Sequence, residues 1–254
     1  MKSTNRDDYQ ATPRPLAGMA KDFSDGFRIE PHSHLRAQLS WALSGVMTVT
    51  ASRGTWVVPP NRALWIPAGT EHEVRMSGAV AMRAIYVDPG VAGDVAAECK
   101  VILVSPLLRA LMLELVAAPL DYDENGRVGH VAALFLDEIR VLDAQPLHIP
   151  RPSDKRLQRV CEALLSDPGR RETLEEWSTP AGASSRTLAR LFVRETGLRF
   201  VDWRHQVRLA QALVRLAHGQ DIATVARAVG YDSASAFSAM FRQSLGKTPR
   251  DYFN

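Results

Sequence analysis

Residues 31–42 read PHSHLRAQLSWA. Two imidazoles stand two residues apart, and an amide follows four residues after the second. Along an extended strand, side chains alternate between faces with period two. If this stretch is one strand, His32, His34 and Gln38 fall on a single face, with Leu39 and Trp41 on the other. Imidazole nitrogens and an amide oxygen facing one way suit two kinds of chemistry. They can ligate a divalent metal, or they can hydrogen-bond a polar group in a pocket. A pocket histidine is more often hydrogen-bonded than ligating, so the pattern needs support from elsewhere in the chain.

A face of this kind must be held by a sheet. From about residue 27 to 88 the text is strand-like: QLSWAL, VMTVTA, TWVV, ALWIP, HEVRM and VAMRAIYV are short and rich in Val, Ile, Trp and Thr. Turn signals separate them at Ser44-Gly45, Arg53-Gly54, Pro59-Pro60-Asn61 and Ala68-Gly69. Many short strands at regular spacing predict a small antiparallel barrel or sandwich. Trp41, Trp56, Trp65 and Arg62 are candidates for its pocket or rim, or equally for its core and turns. Residues 1–20 read as a flexible arm.

The period then changes. In SPLLRALMLELVAAP, Leu107, Leu108, Leu111, Met112 and Leu115 recur at helical spacing behind a Ser105-Pro106 start. A second helix, 128–143, carries Val131, Leu134, Phe135, Leu136 and Ile139. The pair either covers the sheet or forms a dimer seam. Residues 144–153, AQPLHIPRPS, hold three prolines and no periodic pattern, as an interdomain linker would. The organisation is thus an arm (1–20), a strand-rich domain with two following helices (21–143), a linker (144–153) and a helical domain (154–254).

The chain has 254 residues, 46% of them hydrophobic, which is enough for two ordinary cores. It has no apolar run of membrane-spanning length, no signal-peptide core in MKSTNRDDYQ, and two distant cysteines, Cys99 and Cys161, that match no metal or redox spacing. A cytoplasmic protein without a membrane partner is expected. Net charge is unevenly spread. Residues 151–254 hold 17 Lys and Arg against 11 Asp and Glu, whereas the remainder holds 14 against 17. A basic C-terminal part suggests a polyanionic partner, although a surface imbalance would look the same.

That basic part has an internal grammar. In TLEEWSTPAGASSRTLARLFVRETG, Thr173 and Glu176 fit a capping box. A short helix ends before Pro180, Gly182 turns the chain, and Ser184 caps a helix that buries Leu188, Leu191 and Phe192. About fifty residues on, DIATVARAVGYDSASAFSAMFRQSLGKTP repeats the pattern: Asp221 caps, Gly230 turns, and Ser233 caps a helix that buries Phe237, Met240 and Phe241. One such unit is a generic helical hairpin, but two in tandem form a double helix-turn-helix. Between them FVDWRHQVRLAQALVRLAHG makes a long amphipathic helix. About eighteen residues at 1.5 Å each span roughly 27 Å, near the roughly 34 Å between successive major grooves on one face of DNA.

The stretches SSRTLARLFVRETG, RLAQALVRLAHG and VGYDSASAFSAMFRQSLGKTPRDYF resemble the DNA-binding domain of AraC/XylS-family transcriptional regulators over roughly 153–254. Ser178, Ala234 and Pro180 depart from the usual pattern without breaking it. The resemblance implies a double-stranded DNA operator read by Ser185, Arg186, Thr187 and Arg190 on the first recognition helix and by Ser233, Ser235, Ala236 and Ala239 on the second. The second helix offers small side chains, suited to DNA shape or thymine methyls, so base specificity should lean on Arg186 and Arg190.

The strand-rich part resembles the cupin-type sensor joined to many such regulators. Cupins carry His-x-His, a short spacer and Glu or Gln, then Pro-x-Gly, two residues and His. Here these are His32, His34, Gln38, and Pro67-Ala-Gly69 followed by His72. The resemblance makes His32, His34, Gln38 and His72 the metal or effector site, with Gln38 in place of the usual glutamate. Three imidazoles and one oxygen suit Zn, Ni, Fe or Mn as the divalent ion. An organic effector bound to the same residues is the alternative. With no carboxylate, a metal site should be weak, and sensitive to pH near 6.5.

The fold class expected is therefore an N-terminal all-β cupin-like barrel with following helices and a C-terminal all-α domain with two helix-turn-helix units joined by a long helix. The function expected is a ligand- or metal-controlled transcriptional regulator and not an enzyme. It would act as a homodimer on a neighbouring transporter or catabolic gene, and meet RNA polymerase if an activator. The rival is a metal-dependent cupin isomerase or dioxygenase with an appended helical domain, which leaves the tandem reading units without a use. An RNA-binding role ranks last, because no aromatics are set out for stacking on a sheet face.

Overall fold

The computed structural model describes residues 3–93, 95–141 and 147–253. Residues 142–146, which include the expected end of the second helix and the start of the linker, lie outside these. A 3-10 helix (Arg6–Tyr9) comes first. There follow β1 (Leu16–Phe23), β2 (Arg28–His32), β3 (Ala37–Ala42), β4 (Val46–Ala51), β5 (Gly54–Val58), β6 (Arg62–Ile66), β7 (His72–Ser77) and β8 (Val80–Val87). The short α1 (Pro89–Ala92), β9 (Lys100–Leu103), α2 (Pro106–Ala117) and α3 (Arg127–Val141) complete this part. Next come β10 (His148–Pro150), α4 (Lys155–Ser166), α5 (Ser178–Ala181), α6 (Ser185–Thr196) and α7 (Phe200–Ala217), then α8 (Ile222–Ala228), α9 (Ala234–Leu245) and α10 (Pro249–Tyr252). Two compact units result: one is residues 1–51 with 58–145, the other 52–57 with 146–254.

In the first unit one sheet runs β1-β8-β3-β6-β9, and β4-β7-β2 are neighbours in a second. All these pairings are antiparallel. The core joins Leu39, Trp41, Trp65, Ile85 and Val87 of the first sheet to Leu108, Leu111, Met112 and Leu115 of α2 and Phe135 and Ile139 of α3. Helix α2 approaches β1 at Gly18, where a Cβ would stand 2.4 Å from the Leu115 carbonyl oxygen. No side chain fits there, which is why a strand carries glycine at that point. Ser105 caps α2 as its sequence suggests, accepting from the Leu108 N–H at 3.0 Å. Leu134 belongs to no core face: it is 46% exposed, and Ala132 takes the buried position on α3.

The N-terminal arm is ordered, contrary to the flexible arm expected for 1–20. Strand β1 pairs along its whole length with β8, from Leu16 opposite Val87 to Phe23 opposite Val80. Ahead of it, Tyr9 is fully buried and stacks on Tyr86 with ring centroids 5.7 Å apart. The segment between is fastened by Arg36, itself 4% exposed. Its guanidinium donates to the carbonyls of Gln10 (3.2 Å), Thr12 (2.8 Å) and Arg14 (2.8 Å), and its backbone N–H donates to Gln10 Oε1 (3.2 Å). Asp88 lies 3.6 Å from the same guanidinium. A planar fork with five donors satisfies several carbonyls at once, which a lysine could not do. Replacing Arg36 by Met would strand those buried acceptors, at about 1–3 kcal/mol each before relaxation. Arg36→Met should raise amide hydrogen exchange across residues 5–15 well above that of β3 and β8. Unchanged exchange in that segment would show that the arm is held by Tyr9 alone.

In the second unit, β10 pairs with β5, setting His148 against Trp56 and Pro150 against Gly54. Part of the expected linker is therefore a strand. Just before it Leu147 is fully buried at φ +102°, and it is the one non-glycine residue with positive φ among those described. Such backbone is held in place by its surroundings. The Leu147 N–H donates to Gln206 Oε1 at 2.9 Å and its carbonyl accepts from Val57 N–H at 3.0 Å. Trp203 of α7, fully buried, donates its indole N–H to the Pro150 carbonyl at 3.0 Å.

The helical caps follow the expected grammar. Ser184, Asp221 and Ser233 accept from the N–H groups of Thr187 (3.2 Å), Thr224 (2.9 Å) and Ala236 (3.1 Å). Thr173 and Glu176 form the reciprocal capping box. Pro180 does not end α5 from outside but lies within it, in a first turn that needs no N–H from it. Gly182 follows at φ +69° as a left-handed cap. Helix α6 buries Leu188, Leu191 and Phe192, and α9 buries Phe237, Met240 and Phe241. Helix α4 buries Leu157, Val160, Cys161 and Leu164, and Leu165 is 39% exposed.

Candidate ligand cavity and DNA-reading face

His32, His34 and His72 come together, but not along a strand. Strand β2 ends at His32, residues 33–36 turn, and Gln38 sits on β3. The single-strand reading of PHSHLRAQ is therefore wrong, and the convergence is tertiary. A register shift between Ile29 and His32 in the β2–β7 pair sets His32 directly opposite His72. A bulge of this kind re-aims a side chain, and Pro31, which has no N–H, sits within it. His34 is tied to the Pro67–Gly69 turn by its carbonyl, which accepts from the Gly69 N–H at 2.8 Å. The ring centroids lie 4.4 Å (His32–His72), 4.9 Å (His34–His72) and 5.2 Å (His32–His34) apart. One nitrogen from each ring falls within 4.8 Å of the others.

Hydrogen bonding decides which nitrogens these can be. His32 Nδ1 lies 2.8 Å from the Glu30 carbonyl, and His72 Nδ1 lies 2.9 Å from the Thr70 carbonyl. A carbonyl can only accept, so in each ring Nδ1 carries the proton and Nε2 keeps its lone pair. His34 is 6% exposed, and neither of its nitrogens makes a hydrogen bond of normal geometry in the protein, the Arg36 backbone giving only a minor contact. A buried imidazole without such a bond is costly unless something outside the chain completes it. Burial, then the neighbouring rings of His72 and His32, pushes His34 down to about 3. Burial, partly offset by the Thr70 hydrogen bond, pushes His72 down to about 4. Burial also lowers His32. The three rings are neutral at physiological pH and present lone pairs to one point. Two have carbonyl partners of the sort that orient metal ligands. The residues present fit a divalent ion, and a polar organic group in the same place would meet the same acceptors.

The pH behaviour follows from the sign of these shifts. Unfolded histidine takes its proton near 6.5, the folded rings only near 3 and 4. Acid therefore favours the unfolded chain: stability is whole above 6.5 and is lost as pH falls toward the folded values. The slope approaches about 1.4 kcal/mol per pH unit for each of the two rings. In the presence of chelator, thermal unfolding should shift down steeply between pH 6.5 and 5, and His34→Ala with His72→Ala should flatten that dependence. Equal slopes in variant and parent would contradict the assignment. For His34 and His72 the pH sensitivity of metal binding expected near 6.5 moves to lower pH, since burial holds both rings below that value.

The cavity around this point has a volume of about 350 Å³. Gln38, 5% exposed, and Ser40 face it from β3 and Tyr86 from β8. Met19, Met47, Val49, Val74 and Met82 make its apolar walls, and residues 4–7 of the arm lie along it. The tryptophans do not line it. Trp41 and Trp65 donate to the carbonyls of Pro60 and Ala96 in the core, and Trp56 stacks on His148. Arg62, 4% exposed, is not a lining residue either. The sequence reading missed Arg6, Arg36 and Tyr86. Tyr86 was hidden inside a strand of ordinary type, although its position opposite Gln38 in the β3–β8 register follows once that pairing is known.

On the helical unit, Arg186 and Arg190 are both exposed on α6, one turn apart, and no described acidic side chain pairs with either. Ser185 and Thr187 are half-buried, and the Thr187 hydroxyl is committed to Ser184 at 2.9 Å. Ser233, Ser235, Ala236 and Ala239 are exposed on or before the first turns of α9.

A ligand cavity in a β unit, followed by capped helix pairs with exposed arginines, defines a DNA-binding regulator with a ligand-binding domain. The family model described as AraC-like ligand binding domain matches residues 20–189, and that of a helix-turn-helix domain matches 177–254. The chain belongs to the AraC/XylS family of transcriptional regulators and is not an enzyme. It is 34% identical over 221 residues to the HTH-type transcriptional regulator NimR of Escherichia coli K12, covering 87% of this chain and 81% of that one. It is 29% identical over 134 residues to the arabinose operon regulatory protein of the same organism, covering 50% and 46%. The solved structure of ToxT from Vibrio cholerae aligns over 94% of this chain and 98% of its own, at 11% identity and a TM-score of 0.39. Among the described residues no helix is long and apolar enough to cross a membrane.

Proposed function

We propose that this chain is a cytoplasmic, homodimeric transcription factor whose DNA binding is set by a divalent metal held in a cupin-like sensor domain. The observation that supports it is the buried ring of His34, without a hydrogen bond of normal geometry in the protein, facing the lone pairs of two further neutral histidines. Of the two ligand chemistries the residues allow, a metal satisfies all three lone pairs at once. His32, His34 and His72 would supply nitrogen and Gln38 a carbonyl oxygen, which suits Zn²⁺, Ni²⁺, Fe²⁺ or Mn²⁺. The α5–α6 and α8–α9 pairs would act as two helix-turn-helix units on either side of α7 in the chain. Elemental analysis of protein purified without added chelator tests the metal. A gel shift on the DNA upstream of the gene and its neighbours, with and without chelator, tests control. Metal-free protein whose DNA affinity does not change on adding any of the four ions would overturn the reading. A neighbouring transporter or catabolic gene is the expected target, and contact with RNA polymerase is expected if the protein activates.

The dimer reading rests on α2 and α3. Leu107, Leu113, Leu134 and Val141 are 45%, 37%, 46% and 76% exposed, apolar side chains that a second copy would cover. Sedimentation of the full chain at micromolar concentration should give a dimer, and Leu107→Glu with Leu134→Glu should give a monomer. A parent chain that sediments as a monomer contradicts this seam.

A further inference from the structure

We propose that the sensor cavity binds an organic anion as a further ligand of the metal, and that Arg6 of the N-terminal 3-10 helix holds the anion's other side. The proposal rests on the metal reading above. Its starting point is charge. Among the described residues, the cluster able to hold an ion consists of three histidines with no carboxylate, and Gln38 adds only a neutral oxygen. A divalent ion there would add its charge to a cavity lining that already carries Arg6, Lys21 and Arg28 against Asp7 and Glu30, an excess that favours an anion. Arg6 is part of that excess. It lines the same cavity, and its positive field reaches all three histidines and Tyr86. Its ion pair, with the adjacent Asp7, is long at 3.8 Å and exposed to solvent.

Two cations in one cavity are stable together when an anion lies between them. The space fits that use. The cavity's volume of about 350 Å³ exceeds what a bound water needs, and its apolar walls suit a hydrocarbon body. Arg6 is also well placed to respond. Its helix is seated by the Tyr9–Tyr86 stack, and Tyr86 meets the His34 ring edge-on at 5.5 Å. The effector class is therefore a carboxylate, or a similar oxyanion, on a small apolar body.

The test uses full-length protein loaded with Co²⁺, whose visible spectrum reports the ligands around it. Acetate, benzoate and hexanoate are the anionic probes, and benzamide is the neutral control. Benzoate or hexanoate should change the Co²⁺ spectrum and tighten Co²⁺ binding by about tenfold, with benzamide inactive. Arg6→Gln should bind Co²⁺ more tightly than the parent when no anion is present, and should lose most of the enhancement by anion. Arg6→Lys should retain part of it, and an unchanged melting temperature would show that both variants fold. Co²⁺ uptake with a spectrum indifferent to all three carboxylates overturns the anion site while leaving the metal reading intact. Failure of the parent chain to take up Co²⁺ overturns both. An enhancement that survives in Arg6→Gln overturns the role of Arg6.

Discussion

Replacing His34 and His72 by alanine is expected to abolish metal binding while leaving the affinity of the helical unit for DNA in place. The two rings supply two of the three nitrogens that converge within 4.8 Å. Four-ligand zinc sites are worth roughly 10–16 kcal/mol, or about 3 kcal/mol per ligand, so each substitution should cost over a hundredfold in affinity. The pair should leave no binding at micromolar metal. The variants should fold, because they remove an imidazole that makes no hydrogen bond of normal geometry and two groups that oppose stability in acid. Equilibrium dialysis against Zn²⁺ checks this, with DNA affinity measured on the same samples. Retention of stoichiometric metal in the double variant would place the site elsewhere.

The second large effect is expected at the DNA face. Arg186 and Arg190 are exposed, one turn apart, and free of acidic partners among the described residues. Arginine reads guanine through two parallel hydrogen bonds, worth about 1–3 kcal/mol for each good contact. Arg190→Ala should therefore weaken operator binding by about 5- to 150-fold and weaken random-sequence DNA far less. By contrast Ser235→Ala on α9 should change either little, since that surface offers small side chains. Fluorescence anisotropy on operator and scrambled duplexes at two salt concentrations separates the cases. Equal losses on both would make Arg190 a phosphate contact, with a reduced salt slope to match.

Local grammar was legible in the sequence wherever a rule acts over a few residues. The caps at Ser105, Ser184, Asp221 and Ser233 are of this kind, as are the turn at Gly182 and the stripes on α6 and α9. The four candidate site residues were legible for a different reason, which is that their spacing resembles a known pattern. How they meet was not. Their convergence needs the β2–β7 bulge and the Gly69–His34 hydrogen bond, which join residues about forty apart. Strand β1 was missed because Leu-Ala-Gly-Met-Ala has little β propensity, and pairing with β8 and packing under α2 override that. The arm read as flexible because Arg36, the residue that fastens it, looks in the sequence like any surface arginine. Leu147 and β10 were invisible because proline-rich text gives no sign that a distant strand will pair with it.

Occupancy of the three-histidine cluster is expected to control DNA binding. The most direct measurement is the affinity of the full-length chain for the DNA upstream of its gene, by anisotropy, in chelator and then with Zn²⁺, Ni²⁺, Fe²⁺ or Mn²⁺ restored. At least one ion should change that affinity by tenfold or more, about 1.4 kcal/mol of coupling, and His34→Ala with His72→Ala should remove the response. The same response in parent and double variant, or none to any ion, would contradict that control.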